Sequence, residues 1–243
     1  MTSLAPNQPA PPEASAPRSV GVIDVGSTSL RMAIAEIDQH QGVRILETLS
    51  QSVNLGKDTF TRGRIRKTTI EECVRALKRY RSKLAEYQIV EDKNIRVVAT
   101  SAVREATNRL SFLDRVYVAT GLEIEAIDEA EVNRITYLGV QPMLENHPAL
   151  SNAQSIVTEV GGGSTEILLV QAGDVIHSNT YQLGSQRLNK TLEAAPRGSV
   201  IELMRSEVRH TMDQVRHTVP WKEPVEVVAL GGDIRFAAWQ LLP

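Results

Sequence analysis

The stretch "TEVGGGSTEILLV", Thr158 to Val170, sets three consecutive glycines, a serine and a threonine between two apolar runs, with Glu159 just ahead of them. Near the other end, "GVIDVGSTSLRMAIAEI", Gly21 to Ile37, repeats the design with Asp24 in the carboxylate position. Each reads as strand, tight turn, strand. Glycine lets a backbone approach a ligand closely. Successive exposed N–H groups then form a concave nest for an anion, and serine or threonine hydroxyls add donors. A carboxylate beside such a turn cannot itself hold phosphate, but it can hold Mg²⁺ that bridges to phosphate, or orient a water. Neither turn is a Walker loop, because no "GK[ST]" occurs. Neither is a dinucleotide fingerprint, because a strand rather than a helix follows.

Working outward, both halves of the chain share one element order: strand, glycine–hydroxyl turn, strand, strand, then helix and strand. Aligning "DVGST" with "EVGGGST", a two-residue gap in the first turn, supports two α/β lobes of similar design. "TTIEECVRALKRYRSKLAEY" reads as a helix, with Thr68 and Glu71 at capping-box spacing. "RLSFLDRVYVAT" reads as a helix stopped by Gly121, and "EAEVNRITYLGVQPML" as one ended near Pro142. "GKDTFTRGRIRK" places Lys57, Arg62, Arg64, Arg66 and Lys67 on a basic loop, which either attracts a polyanion to the cleft mouth or is simply solvated. The expected layout is a disordered, proline-rich tail over residues 1–17, a first lobe over 18–147 and a second over 148–243.

The bulk numbers exclude several classes. The 243 residues are 42% hydrophobic and 23% charged, enough to bury a core. A net charge of −2 offers no global basic field for nucleic acid. No apolar run approaches the roughly 18 residues that span a bilayer. The single cysteine, Cys73, rules out an internal disulfide and fits a reducing compartment, so a cytoplasmic location is expected. The start carries five of the eleven prolines and neither a basic nor an apolar leader region, so it is not a signal peptide. Cys73 falls inside a helix and reads as a small packed side chain.

In its motifs the sequence resembles the exopolyphosphatase / guanosine pentaphosphate phosphatase (Ppx/GppA) family, within the sugar kinase–heat-shock chaperone–actin superfamily. The resemblance rests on "IDVGSTSLRM", "NLGKDTFTRGRI", "VVATSAVREATN", "EAEVNRITYLGV", "EVGGGSTEIL" and "LGSQRL", in that order, from about Val20 onward. It implies two actin-like (ribonuclease H-like) lobes with mixed five-stranded sheets, the second cut short. The implied activity is hydrolysis of terminal phosphate from inorganic polyphosphate or guanosine pentaphosphate, with Mg²⁺ as cofactor. It implies no specific nucleic acid and no membrane, and admits a homodimer.

Carried over residue by residue, the resemblance makes Glu131 the base toward the attacking water. Read as a residue alone, Glu131 is more simply a solvated helix acid paired to Arg134. Glu159 joins it as a catalytic acid, and Asp24 with Glu159 would hold the metal. Gly26, Ser27, Thr28, Ser29, Arg104, Gly161, Gly162, Gly163, Ser164 and Thr165 would bind phosphate. Gly231 and Gly232 resemble a third turn closing over the cleft. The family usually has aspartate where this chain has Glu159, asparagine where Thr28 stands, and a glycine where "DEA" precedes the glutamate helix. The alternative reading is a non-catalytic polyphosphate- or alarmone-binding regulatory protein.

Overall fold

A computed structural model describes residues 17–39, 42–151, 153–193, 195–196, 198–222 and 225–241. The proline-rich tail, apart from Pro17, lies outside the described residues. Strands β1 (Arg18–Val25) and β2 (Ser29–Ile37) form an antiparallel hairpin around the first glycine turn, and β3 (Val43–Ser52) continues the meander. On the other side of β1, β4 (Ile95–Ala99) and β5 (Glu125–Ala126) run parallel, giving the order β3-β2-β1-β4-β5. The second sheet repeats this pattern. Strands β6 (Gln154–Val160), β7 (Thr165–Gln171), β8 (Asp174–Tyr181) and β9 (Glu226–Leu230) lie in the order β8-β7-β6-β9, with β9 parallel to β6. The expectation was five-stranded sheets with the second lobe cut short; among the described residues the first sheet has five strands and the second four, with no counterpart of β5.

Period-two alternation decides what each face does. In β1, Ile23 and Val25 are fully buried, while Val22 and Asp24 look to the opposite side. The buried face packs on α2 (Lys67–Glu86) and α4 (Arg109–Thr120) through Cys73, Leu77, Leu84, Phe112 and Val116. Gly21 is the close approach there, since a Cβ would run into Leu84. Helix α4 ends where expected, with Gly121 left-handed at φ 71°. In the second lobe β7 is buried on both faces. Leu168 and Val170 meet Val140 and Leu144 of α5 (Glu129–Asn146), while Ile167 and Leu169 meet Val215 of α7 (Val200–Thr218). Helix α5 therefore belongs by packing to the second sheet at its C-terminal half and reaches the first lobe at its N-terminal half.

Three local expectations differ from the structure. "GKDTFTR" is not a loop but helix α1 (Leu55–Arg62), held by a buried Asp58 that accepts from the Arg66 backbone (3.0 Å) and guanidinium (2.6 Å). Helix α2 starts at Lys67 with Arg66 at its N-cap and no side-chain cap bond, so the Thr68–Glu71 box does not form. Helix α5 runs past Pro142 to Asn146. The proline removes one backbone bond, a loss of about 3 kcal/mol; burial of Val140 and Leu144 on either side of it offsets that loss.

Leu77 is fully buried between α2 and the first sheet. Leu77→Ala is expected to destabilise the protein by about 2–5 kcal/mol, read as a drop in the denaturant midpoint at unchanged slope. In the same experiment the Cys73 thiol, fully buried and pushed up to about 12 by burial, should react with a thiol reagent only along the unfolding transition. Fast labelling in buffer alone would show that α2 does not seal the core.

Candidate functional site: a crevice between two glycine turns

The two hairpin turns have the same construction. In the first, the Gly26 amide donates to the Ser29 carbonyl (3.0 Å), and Val25 pairs with Leu30. In the second, the Gly161 amide donates to the Ser164 carbonyl (2.9 Å), and Val160 pairs with Thr165. The turns therefore superimpose without a gap: Gly26 on Gly161, Ser27 on Gly162, Thr28 on Gly163, Ser29 on Ser164. This corrects the gapped alignment expected from sequence. It also makes Asp24 the equivalent of Glu159, and their in-register partners, Arg31 and Glu166, equivalent to each other.

Both turns open onto one crevice of about 330 Å³ between the lobes. It is lined by Asp24, Gly26, Ser27, Thr28 and Ser29 from the first hairpin, Glu159 and Gly161 to Ser164 from the second, and Arg104, which ends the short helix α3 (Ser101–Arg104). Of the expected phosphate-binding residues only Thr165 is elsewhere: its hydroxyl donates to the Leu183 carbonyl (2.6 Å), away from the crevice. Gly231 and Gly232 are also outside. Gly231, at φ 110°, abuts the Val160 carbonyl, and α8 (Gly232–Leu241) starts from it. The basic cluster does not line the crevice; Arg66 is taken by Asp58, and Lys57 reaches Glu193 of α6 (Ser185–Glu193) at 3.7 Å.

Backbone orientation makes the second turn an anion nest. The carbonyls of Gly161 and Gly162 accept from the first amides of α6: Ser185 (3.1 Å), Gln186 (2.8 Å) and Arg187 (3.2 Å). The Gly163 carbonyl accepts from the Arg187 guanidinium (2.8 Å). In a trans peptide the N–H points opposite to the C=O. Three carbonyls drawn to one side thus send the amides of Gly162, Gly163 and Ser164 to the other, and among the described hydrogen bonds none of these amides is a donor. The first turn is tied similarly, with the Ser27 carbonyl taking the Gly56 amide (2.7 Å) and the Thr28 carbonyl the Val53 amide (2.9 Å).

Glycine is required where the pieces touch. A Cβ on Gly163 would collide with Ser101 and Phe60, and one on Gly162 would lie 3.0 Å from the Ser27 side chain. A Cβ on Gly184 would fall 2.6 Å from the Gly162 backbone.

The acids do not all go where the sequence suggested. Glu131 is not among the crevice-lining residues. Its backbone amide donates to the Asp128 carboxylate (2.8 Å), placing it in the first turn of a capped helix. Its carboxylate takes two bonds from Arg134 (2.7 and 2.8 Å), which hold its carboxyl below the usual range. Helix α5 presents Glu129, Val132, Ile135 and Thr136 to the crevice; Glu131 lies one turn before Ile135, at the edge of that face, with its carboxylate drawn to Arg134. Glu159 does line it: Thr136 donates to one carboxylate oxygen (2.9 Å), and among the described hydrogen bonds none reaches the other.

The sequence reading missed Arg31, Thr100, Ser101, Glu129, Thr136 and Glu166, all of which line the crevice. The available signal for Arg31 and Glu166 was hairpin register, which pairs them with Asp24 and Glu159. Burial raises the Glu166 carboxyl, while the Ser164 hydroxyl, donating to it at 2.6 Å, pulls the other way. Ser164 thus spends its proton on Glu166. Arg104 donates to the Ile127 carbonyl (2.9 Å) and to Glu129 (3.3 Å), keeping further N–H groups for a ligand.

The Ppx/GppA phosphatase family model matches residues 33–239. The chain belongs to that family. It is 28% identical over 230 residues to Exopolyphosphatase 2 of Mycobacterium tuberculosis, covering 88% of this chain and 67% of that protein. It is 29% identical over 172 residues to the bifunctional 3-dehydroquinate synthase/phosphatase of Fusobacterium nucleatum, covering 69% of this chain but only 25% of that protein. The crystal structure of an exopolyphosphatase from Cytophaga hutchinsonii matches with a TM-score of 0.81 at 23% identity, over 92% of this chain and 70% of that one. That likeness speaks to the fold, the two actin-like lobes expected from the motifs. Within the family framework the crevice lies between the lobes, floored by the two hairpin turns.

Asp24 supplies a pH test. Burial pushes its carboxyl up to about 6, with Arg31 pulling down and Glu159 pushing further up. A raised native value means stability that is present below the ordinary carboxylate range and lost as pH rises through about 6. The gap corresponds to roughly 3 kcal/mol. Asp24→Asn is therefore expected to raise the Tm of the metal-free protein by several degrees at pH 7–8, with the gain vanishing near pH 4. An equal gain at every pH would show that Asp24 is not held in an unfavourable charged state.

Proposed function

We propose that this chain is a phosphoanhydride hydrolase that releases terminal phosphate from inorganic polyphosphate or guanosine pentaphosphate. The observation that carries the reading is that two acid-preceded glycine turns open onto one crevice, the second with three unengaged amides on one side. Names of relatives, an exopolyphosphatase among them, support it. The amides of Gly162, Gly163 and Ser164, with Arg104, hold the oxygens of the terminal phosphoryl group, where charge must be held in the transition state.

Asp24 and Glu159 are the residues that would hold Mg²⁺. They lie close enough for Glu159 to raise the Asp24 carboxyl, which leaves a charge for a cation to satisfy. Among the described residues no group of three or more acids, histidines or cysteines is placed to cage a metal. That suits an ion which takes one or two carboxylates and completes its shell with water and phosphate. When bound, the ion supplies charge neutralisation across phosphate oxygens.

Of the two acids expected to act on water, Glu159 lines the crevice while the Glu131 carboxylate is paired to Arg134, which supports Glu159 in that role. With one oxygen fixed by Thr136, the free Glu159 oxygen orients the water and accepts its proton, which leaves Asp24 as the acid that would touch the ion directly and Glu159 as the one that would hold it at the distance of a water. Glu159→Gln is expected to lower kcat by on the order of 10²-fold or more, and Glu131→Gln by no more than a few-fold, with orthophosphate release measured on both substrates with Mg²⁺. Full activity in Glu159→Gln, or no phosphate release by the parent protein, would remove the assignment.

A second reading has its own observation. Helix α5 turns Val132 and Ile135 toward the crevice, with Glu129 engaged by Arg104. A site poor in free acids on that wall suits a regulatory protein that binds polyphosphate or an alarmone without turning it over. Calorimetric binding with no phosphate release would decide for it. The same proposal includes a cytoplasmic location; among the described residues no helix is long and apolar enough to cross a membrane. It also includes a homodimer, motivated by exposed Val227, Phe236 and Trp239 at the β9 edge and α8. Sedimentation as a monomer at micromolar concentration would remove that part.

A further inference from the structure

We infer that Arg187 is a positioning residue that couples closure of the two lobes to the preorganisation of the second anion turn. The inference rests on the phosphate-binding reading of the crevice. Arg187 lies in the first turn of α6, in the second lobe, with a side chain only 22% exposed. Its guanidinium meets three partners. Nε donates to the Gly163 carbonyl (2.8 Å), within its own lobe. Nη2 donates to both oxygens of Glu105 in the first lobe (2.8 and 3.0 Å). The planar group stacks on Phe60 of α1, also in the first lobe, 4.3 Å from the ring centre.

The Gly163–Ser164 peptide is the one such a contact would control. The carbonyls of Gly161 and Gly162 are fixed by backbone amides of α6, whereas that of Gly163 accepts from a side chain. A run of three glycines has no steric preference that would keep this peptide from rotating. Holding its carbonyl toward α6 keeps the Ser164 amide on the crevice side. Glu105 and Phe60 in turn fix the plane of the guanidinium, and they do so only when the first lobe is in place. Glu105 also follows Arg104 directly in sequence, so the latch and the phosphate clamp share one short segment. Lysine would reach one partner at a time, without the fork or the flat face.

The experiment uses the full chain with tripolyphosphate and Mg²⁺ as the probe, read by calorimetry, with steady-state phosphate release alongside. Arg187→Ala is expected to weaken tripolyphosphate binding by about tenfold or more, the scale of one lost charge-assisted hydrogen bond. Glu105→Gln keeps the Gly163 bond and should weaken binding less than about threefold, and Arg187→Lys should fall between them. The Arg187 variants should raise KM at least as much as they lower kcat. Equal effects of Arg187→Ala and Glu105→Gln would make Arg187 a lobe latch only and overturn the inference. So would wild-type affinity in Arg187→Ala. If Arg187→Ala does not fold, Arg187→Lys against Glu105→Gln decides by the same comparison. A parent protein that binds no tripolyphosphate overturns the phosphate reading first, and this inference with it.

Discussion

Contact between bare backbones at Gly162, Gly163 and Gly184 seats the second turn between α6 and the first lobe, and the crevice depends on that seat. A Cβ at any of the three would meet backbone or a packed side chain of the opposite piece. Because α6 comes this close, its first amides can take the turn's carbonyls, and taking them is what exposes the amides on the other side. The anion nest is thus a consequence of helix α6 docking, not a property of the glycines alone. The same close approach sets the distance between the lobes, since Gly162 rests on Ser27 and Thr28 of the first turn.

The parts of the fold legible in the sequence were those where local chemistry and tertiary packing agree. Alternation with a glycine turn gave both hairpins, and Gly121 stopped α4 because only a left-handed residue fits there. What misled was burial that no local signal announces. Asp58 looks like a solvated charge in a basic stretch, yet it is buried as the acceptor that organises α1 and Arg66. Pro142 looks like a helix end, yet packing of Val140 and Leu144 against the second sheet carries α5 past it.

The site was legible at the level of motifs and failed at the level of phase. Matching "ST" to "ST" between the two turns required a gap, because residue identity was aligned in place of hydrogen-bond register. The equivalent atoms are the glycine amide and the serine carbonyl that close each turn. Glu131 shows the same limit: helix phase puts it on the edge of the face that carries Val132 and Ile135, and it is the bond to Arg134 that draws its carboxylate out of the crevice lining. A charged residue next to an arginine at helical spacing was the simpler reading, and the Arg134 bonds to Glu131 fit it.

The register equivalence also explains an asymmetry between the lobes. The first hairpin sets Asp24 beside Arg31, an acid with its own counter-charge. The second sets Glu159 beside Glu166, two acids whose mutual repulsion adds to the burial that raises Glu166. Ser164 relieves Glu166 by donating its proton there. Glu159 is relieved from another direction, by Thr136 on α5. Reaching that helix takes the longer side chain: an aspartate at position 159 would hold its carboxylate nearer β6, out of range of Thr136 as α5 now lies. The extra methylene at this position therefore anchors the second-lobe carboxylate to the helix that spans both lobes. Glu159 in turn adds to the burial that raises the Asp24 carboxyl, so an anionic ligand between the two acids needs added positive charge.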